Sequence, residues 1–178
     1  MDLDDRAQHV AARALSSPLR LRVLRLCRFE ARTNKELAEL LAVNPGTMLH
    51  HVRKLVDAGF LEAQAQRSGA QGAREVPYLA TGRSWDTPMD NAVPVMLETV
   101  RQQAVLADPE RVWFAWLGLH LNDAHRDELL TRIGAIFHEY KDRGPDPDGE
   151  PYSLVSIFHP DLNPRSPSSP EQKSAESS

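Results

Sequence analysis

Thr47, His50, Arg53 and Lys54 fall within about one third of a helix circumference, and all four carry donors or positive charge suited to nucleic acid. Thr47 and His50, three residues apart near a helix start, are placed to meet base edges. Arg53 and Lys54, further along, are placed to meet backbone phosphate. Asn44-Pro45 reads as an N-cap followed by proline at the first helical position, so Gly46 and its neighbours would turn backbone N–H groups and the positive helix dipole toward a phosphate. His51 lies about 100° around the helix from His50, packed or at the edge of the reading face. Arg67 and Arg74 flank a polar hairpin tip that would reach the neighbouring minor groove or phosphates. Taken singly, such residues are an ordinary solvated face; together on two successive capped helices and a basic hairpin they point to DNA.

Other chemistries find little support. There is no glycine-rich phosphate loop and no Ser or Cys nucleophile motif, and Asp127-Glu128 is an ordinary solvated helix start, so no enzyme and no cofactor is expected. One cysteine, Cys27, excludes an internal disulfide framework and sits on an inward stripe as a small hydrophobe. The acidic first residues carry no apolar core, and the apolar stretch 112–121 is too short for a bilayer, which predicts a soluble cytoplasmic protein without a membrane partner. The chain has 178 residues and a net charge of −4, but residues 1–86 hold 13 basic and 10 acidic groups while residues 87–178 hold 8 and 15. A basic half therefore precedes an acidic one, and 17 of the 21 basic residues are Arg, whose planar fork suits phosphate.

The elements that must position these side chains follow from punctuation and period. A helix from about Asp5 to Leu15, with Val10 and Ala14 inward, comes first. Ser17-Pro18 opens a second, with Leu19, Val23, Leu26 and Cys27 at helical spacing to about Phe29. Thr33-Asn34-Lys35-Glu36 is a capping box that opens a third, with Leu37, Leu40 and Leu41 on its buried face. The helix at 44–58 then buries Met48, Val52, Leu55 and Val56 and stops at Gly59. Residues 60–65 and 75–79 predict the two strands of a hairpin.

Beyond it, a helix from about Asn91 to 106 carries Val93, Met96, Leu97, Val100 and Ala104 as one apolar stripe, more than one small domain would need. Val93, Met96, Leu97 and Val100 are the expected dimer contacts. Arg111–Leu121 and Tyr152–His159 alternate as strands around a helix begun by Asn122, a small β-α-β unit with a core of Trp113, Phe114, Trp116, Phe137 and Tyr140. The residues after 160 are a disordered tail. The expected fold is mainly α (α+β): a winged helix-turn-helix domain at 1–86, a dimerisation helix and small α/β domain at 87–160, and a tail at 161–178.

Residues 15–82, with Leu15-Ser16-Ser17-Pro18-Leu19-Arg20, Asn34-Lys35-Glu36-Leu37-Ala38 and Asn44-Pro45-Gly46-Thr47-Met48-Leu49-His50-His51-Val52-Arg53-Lys54-Leu55-Val56-Asp57-Ala58-Gly59, resemble the ArsR family of bacterial transcriptional regulators. The stretch Arg111–Asp161, with Asp146-Pro147-Asp148-Gly149-Glu150-Pro151-Tyr152, is similar to the C-terminal extension of some actinobacterial members. The resemblance implies a homodimer that binds a palindromic operator in double-stranded DNA, usually represses, and releases DNA on binding an effector. It assigns base reading to Gly46, Thr47 and His50 and places Arg20 and Asn34 near the DNA backbone. The effector would be a small molecule that these residues do not identify.

Metal sensing, common in that family, is not expected here. Its Cys-x-Cys stretch corresponds to Glu36-Leu37-Ala38-Glu39-Leu40-Leu41, which lacks cysteine. Asp123-x-His125 resembles the start of its other site, but His138 follows thirteen residues on rather than eleven, about 220° around a helix. A winged-helix module used for protein contact, without specific DNA binding, is the rival reading; Leu49, where a polar Ser is common in the family, favours it.

Overall fold

The computed structural model describes residues 10–69, 74–87 and 92–163. Helix α1, of which residues 10–15 are described, is followed by α2 (Pro18–Leu26), β1 (Arg32–Thr33), α3 (Asn34–Leu40) and α4 (Pro45–Asp57). Then come β2 (Leu61–Ala63), β3 (Arg67–Ser68), β4 (Arg74–Glu75), β5 (Pro77–Ala80), α5 (Ala92–Ala104) and α6 (Asp123–Asp142).

The helix starts follow from their caps. Ser17 has the extended backbone of an N-cap with Pro18 behind it, although its side chain makes no capping bond. Thr33 and Glu36 form the complete capping box: the Glu36 N–H donates to Thr33 Oγ1 at 3.2 Å and the Thr33 N–H to Glu36 Oε2 at 2.7 Å. Asn44 Oδ1 accepts from the Gly46 N–H at 2.8 Å. Two helices end in left-handed residues. At Gly59, φ is 74°, and the Phe60 N–H donates to Leu55 O at 2.8 Å. The turn between α3 and α4 uses Ala42 at φ 51° in the same way, with the Val43 N–H on Ala38 O at 2.9 Å. A non-glycine residue in that region costs about 1–2 kcal/mol, which the packing of α3 on α4 holds in place.

One core joins these helices. Leu15, Val23, Cys27, Leu37, Met48, Val52, Leu55, Phe60 and Leu61 are essentially inaccessible to water. Each large side chain buried this way stabilises by about 1.5–3 kcal/mol. Burial also pushes the Cys27 thiol up to about 11, so it stays a neutral apolar filler. Within α1 the inward residues are Ala11, Ala14 and Leu15, whereas Val10 is exposed, because the face centred on those three lies about 90° around the helix from it. In α3 the inward face is set by Leu37, Ala38 and the partly buried Leu41, and Leu40, about 100° around the helix from its centre, is exposed. The α2 helix ends at Leu26, earlier than Phe29, which is exposed.

The hairpin folds with its strands adjusted. β2 and β5 run antiparallel with Leu61 opposite Ala80, Glu62 opposite Leu79 and Ala63 opposite Tyr78. β3 and β4 continue it toward residues 70–73, which lie outside the described residues. The sequence gives no sign of β1, which pairs Arg32 with Tyr78 and Thr33 with Pro77 to make the third strand, in the order β1-β5-β2.

Asn91 and the tail beyond 163 lie outside the described residues. Pro94 is in the first turn of α5, where a missing N–H costs nothing. Helix α6 begins at its expected cap, the His125 N–H donating to Asn122 Oδ1 at 2.9 Å. The strands expected at Arg111–Leu121 and Tyr152–His159 do not form among the described residues: Arg111 closes a 3-10 turn, and the rest of both stretches has no regular secondary structure and no ladder hydrogen bonds. Alternating side chains favour a strand, but a strand also requires a neighbour for its backbone. Nor do Trp113, Phe114 and Trp116 form a compact core, since each is about four-fifths exposed.

Candidate nucleic-acid interface

Helix α4 has two faces of opposite character. Met48, Val52 and Leu55 fix it to the body with no accessible surface, and Thr47, His50, Arg53 and Lys54 are all exposed on the other side. Its first turn is held from behind by Asn34, whose Nδ2 donates to Pro45 O at 3.1 Å. The Asn34 Oδ1 is buried without a hydrogen-bond partner among the described residues. Asn34 therefore braces α3 against the start of α4. Asn44 and Gly46 are exposed at that start, but the Gly46 N–H is taken by Asn44 Oδ1, Pro45 has none and the Met48 N–H donates to Asn44 O, which leaves the Thr47 N–H of the first turn for an outside acceptor.

Arg20, expected near the DNA backbone, is buried instead. Its Nε donates to Ala14 O and its Nη2 to Arg13 O at 2.8 Å, capping the end of α1, while Nη1 lies 3.5 Å from His51 Nδ1. The guanidinium is thus committed to protein carbonyls, a role invisible in a sequence because arginine is so rarely buried. His51 is half-buried beside it and meets the His50 ring edge-on, with centroids 5.9 Å apart. The pair links α2 to α4 from behind, and His50 is the member that faces out.

Burial and then the positive charges of Arg20, His50 and Lys54 hold the His51 pKa below its usual 6.5. The neutral ring is favoured in the fold, so its contribution is complete above pH 6.5 and is lost as pH falls below 6.5 through the depressed folded value. Urea midpoints should therefore drop on acidification from about pH 7.5 to 5.5, and His51→Gln should remove part of that drop. Identical pH dependences for the two proteins would discard this role.

The wing places its two arginines differently. Arg67 forms an ion pair with Glu36 Oε1, which ties the hairpin to the capping box of α3. The Glu36 carboxyl is held below the usual range, first by the Thr33 backbone N–H and also by Arg67. A pair so exposed is worth little in stability but orients the wing. Arg74, opposite Ser68 in β4, is exposed.

Among the described residues no three His, Cys, Asp or Glu side chains converge on a metal-sized point, and His125 and His138 are both exposed along α6. No described helix is long and apolar enough to cross a membrane.

A helix pair joined by a tight turn, a second helix with a polar outer face, and a three-stranded antiparallel sheet ending in a hairpin define a winged helix-turn-helix domain. A protein-family model described as a helix-turn-helix domain matches residues 15–64, from the end of α1 through β2. No curated protein matches the chain. The match supports a DNA-binding regulator, a class that is typically non-enzymatic.

Proposed function

We propose that the protein is a cytoplasmic, homodimeric repressor of the ArsR type that reads a palindromic operator with α4 and steadies itself with the wing. The observation that carries this reading is the exposed Thr47, His50, Arg53 and Lys54 face on a helix whose opposite face is fully buried. Such a helix enters a major groove without loosening the core. The excess of basic over acidic groups in the helix-turn-helix half, 13 against 10, supplies the electrostatic docking. Release of DNA by a small-molecule effector belongs to the same reading.

The dimer is supported by how α5 sits. Its buried residue is Thr99, on the side that packs against α2, while Val93, Met96 and Leu97 are exposed and Val100 is half-buried. The apolar stripe therefore points away from this chain's own core, as a two-fold contact requires. Met96→Glu combined with Val100→Glu should raise the monomer–dimer Kd by about a hundredfold or more, measured by light scattering across a dilution series. An unchanged Kd would remove α5 from the interface.

The function is tested by selecting duplexes from a random pool with the purified full chain, then titrating the selected duplex by fluorescence anisotropy at several salt concentrations. The expected result is an enriched palindrome with half-sites about one DNA turn apart, bound with a log-affinity that falls by about 0.9 per phosphate neutralised for each decade of salt. No enrichment, with equally weak binding to every duplex, would favour the protein-contact module instead.

A further inference from the structure

From Val105 onward no described side chain is buried, yet this region holds the most apolar part of the chain. Trp113, Phe114, Trp116, Leu117 and Tyr152 are each more than 70% exposed, and Leu154 is 60% exposed. Aromatic side chains cover about 150–250 Å² each, so these residues with their neighbours present on the order of 1,000 Å² of apolar surface. That exceeds the largest patch of an ordinary monomer and the roughly 800 Å² that each partner contributes to a stable interface.

The backbone shows the same incompleteness. Residues 112–121 and 151–162 adopt no regular secondary structure, and apart from the Val112 N–H on Pro109 O at 3.3 Å no backbone hydrogen bond among the described residues joins either stretch to another part of the chain. Their beginnings are bridged only by side chains: Arg111 pairs with Glu150 and donates to Tyr152 Oη at 3.0 Å. Arg25 in turn fastens the second stretch to α2, donating to Ser153 Oγ at 2.8 Å and to Tyr152 O at 3.4 Å. Helix α6 connects the two stretches, so they are held in place with their ladder groups unused. Each has the alternating side chains of a strand and free backbone groups that a neighbouring strand would pair.

We infer that a second copy of this chain covers this surface, the stretches 112–121 and 152–159 of the two copies pairing edge to edge into one shared sheet on which both α6 helices pack. Two arguments favour a second copy over another partner. The stretch at 112–121 follows α5 after a turn at 105–108 and one 3-10 turn (Pro109–Arg111), so a two-fold contact along α5 brings the two copies of it within a few residues of the same axis region. The exposed apolar area also matches what each half of a self-complementary interface must supply. This inference rests on the homodimer in the reading above and not on its DNA binding.

The test is hydrogen exchange on the full chain at concentrations above and below the dimer Kd, beside Trp116→Glu/Leu154→Glu. Both residues are exposed in the single chain, so the winged-helix core should melt unchanged in this variant. The expected result is protection of amides 112–121 and 152–158 in the dimer, loss of that protection on dilution, and a Kd raised about a hundredfold or more in the variant. Free exchange in a dimer, protection that persists in a monomer, or a chain monomeric at all concentrations would each overturn it. Failure to select an operator would leave these results standing and bear only on DNA recognition.

Discussion

Replacing Thr47 and His50 together by alanine is expected to lower affinity for the selected operator by about a hundredfold or more, while affinity for unrelated duplex changes little. Both side chains are exposed, so their loss removes no core contact. A good base contact discriminates by about 1–3 kcal/mol, and a dimer makes each contact twice. Arg53→Ala should behave differently, weakening specific and unspecific binding alike and reducing the salt slope by about one per protomer. Unchanged operator affinity in a double variant that still folds would sink direct readout by α4. A matching loss on every duplex would reduce Thr47 and His50 to phosphate contacts.

The largest stability effect should come from Phe60→Ala. Phe60 is 1% exposed and follows the left-handed Gly59, so its N–H closes α4 on Leu55 O at 2.8 Å while its ring fills the junction of α4 with β2. Removing a buried aromatic ring costs about 3–5 kcal/mol, a large share of the roughly 5–15 kcal/mol that holds a domain folded. The urea midpoint should fall steeply with little change in slope. Wherever the variant remains folded, operator affinity should be close to that of the parent, because Phe60 lies on the opposite side of α4 from the reading face. A loss below about 1 kcal/mol would mean that the site closes over the missing ring.

The two experiments separate the faces of one helix. Met48, Val52 and Leu55 are buried and should answer to stability, while Thr47, His50, Arg53 and Lys54 are exposed and, on the proposed reading, should answer to recognition. The division arises because three side chains inserted in the core fix the rotation of α4, and that rotation decides what the remaining positions present to solvent.

Much of this was legible before folding because it depends on near neighbours. The Thr33-Glu36 box, the Asn44-Pro45 start, the Gly59 stop and the Asn122 cap are hydrogen-bonding arrangements within six residues or fewer, and each holds in the structure. The period of Met48, Val52 and Leu55 likewise fixes an inward face without reference to anything distant. Tertiary structure decided the rest. Whether Arg20 faces DNA or the end of α1 depends on where α1 docks, and the carbonyls of Arg13 and Ala14 capture it. Arg67 is drawn to Glu36 only because the wing folds back on α3. Strand β1 exists through its partner β5, and the stretches at 112–121 and 152–159 show the converse, strand-like in pattern and unpaired in one chain. A helix carries its hydrogen bonds within itself and can be read from its own residues. A strand, an ion pair between elements and a buried arginine are completed by groups far away in sequence, and only the assembled fold brings those groups within reach.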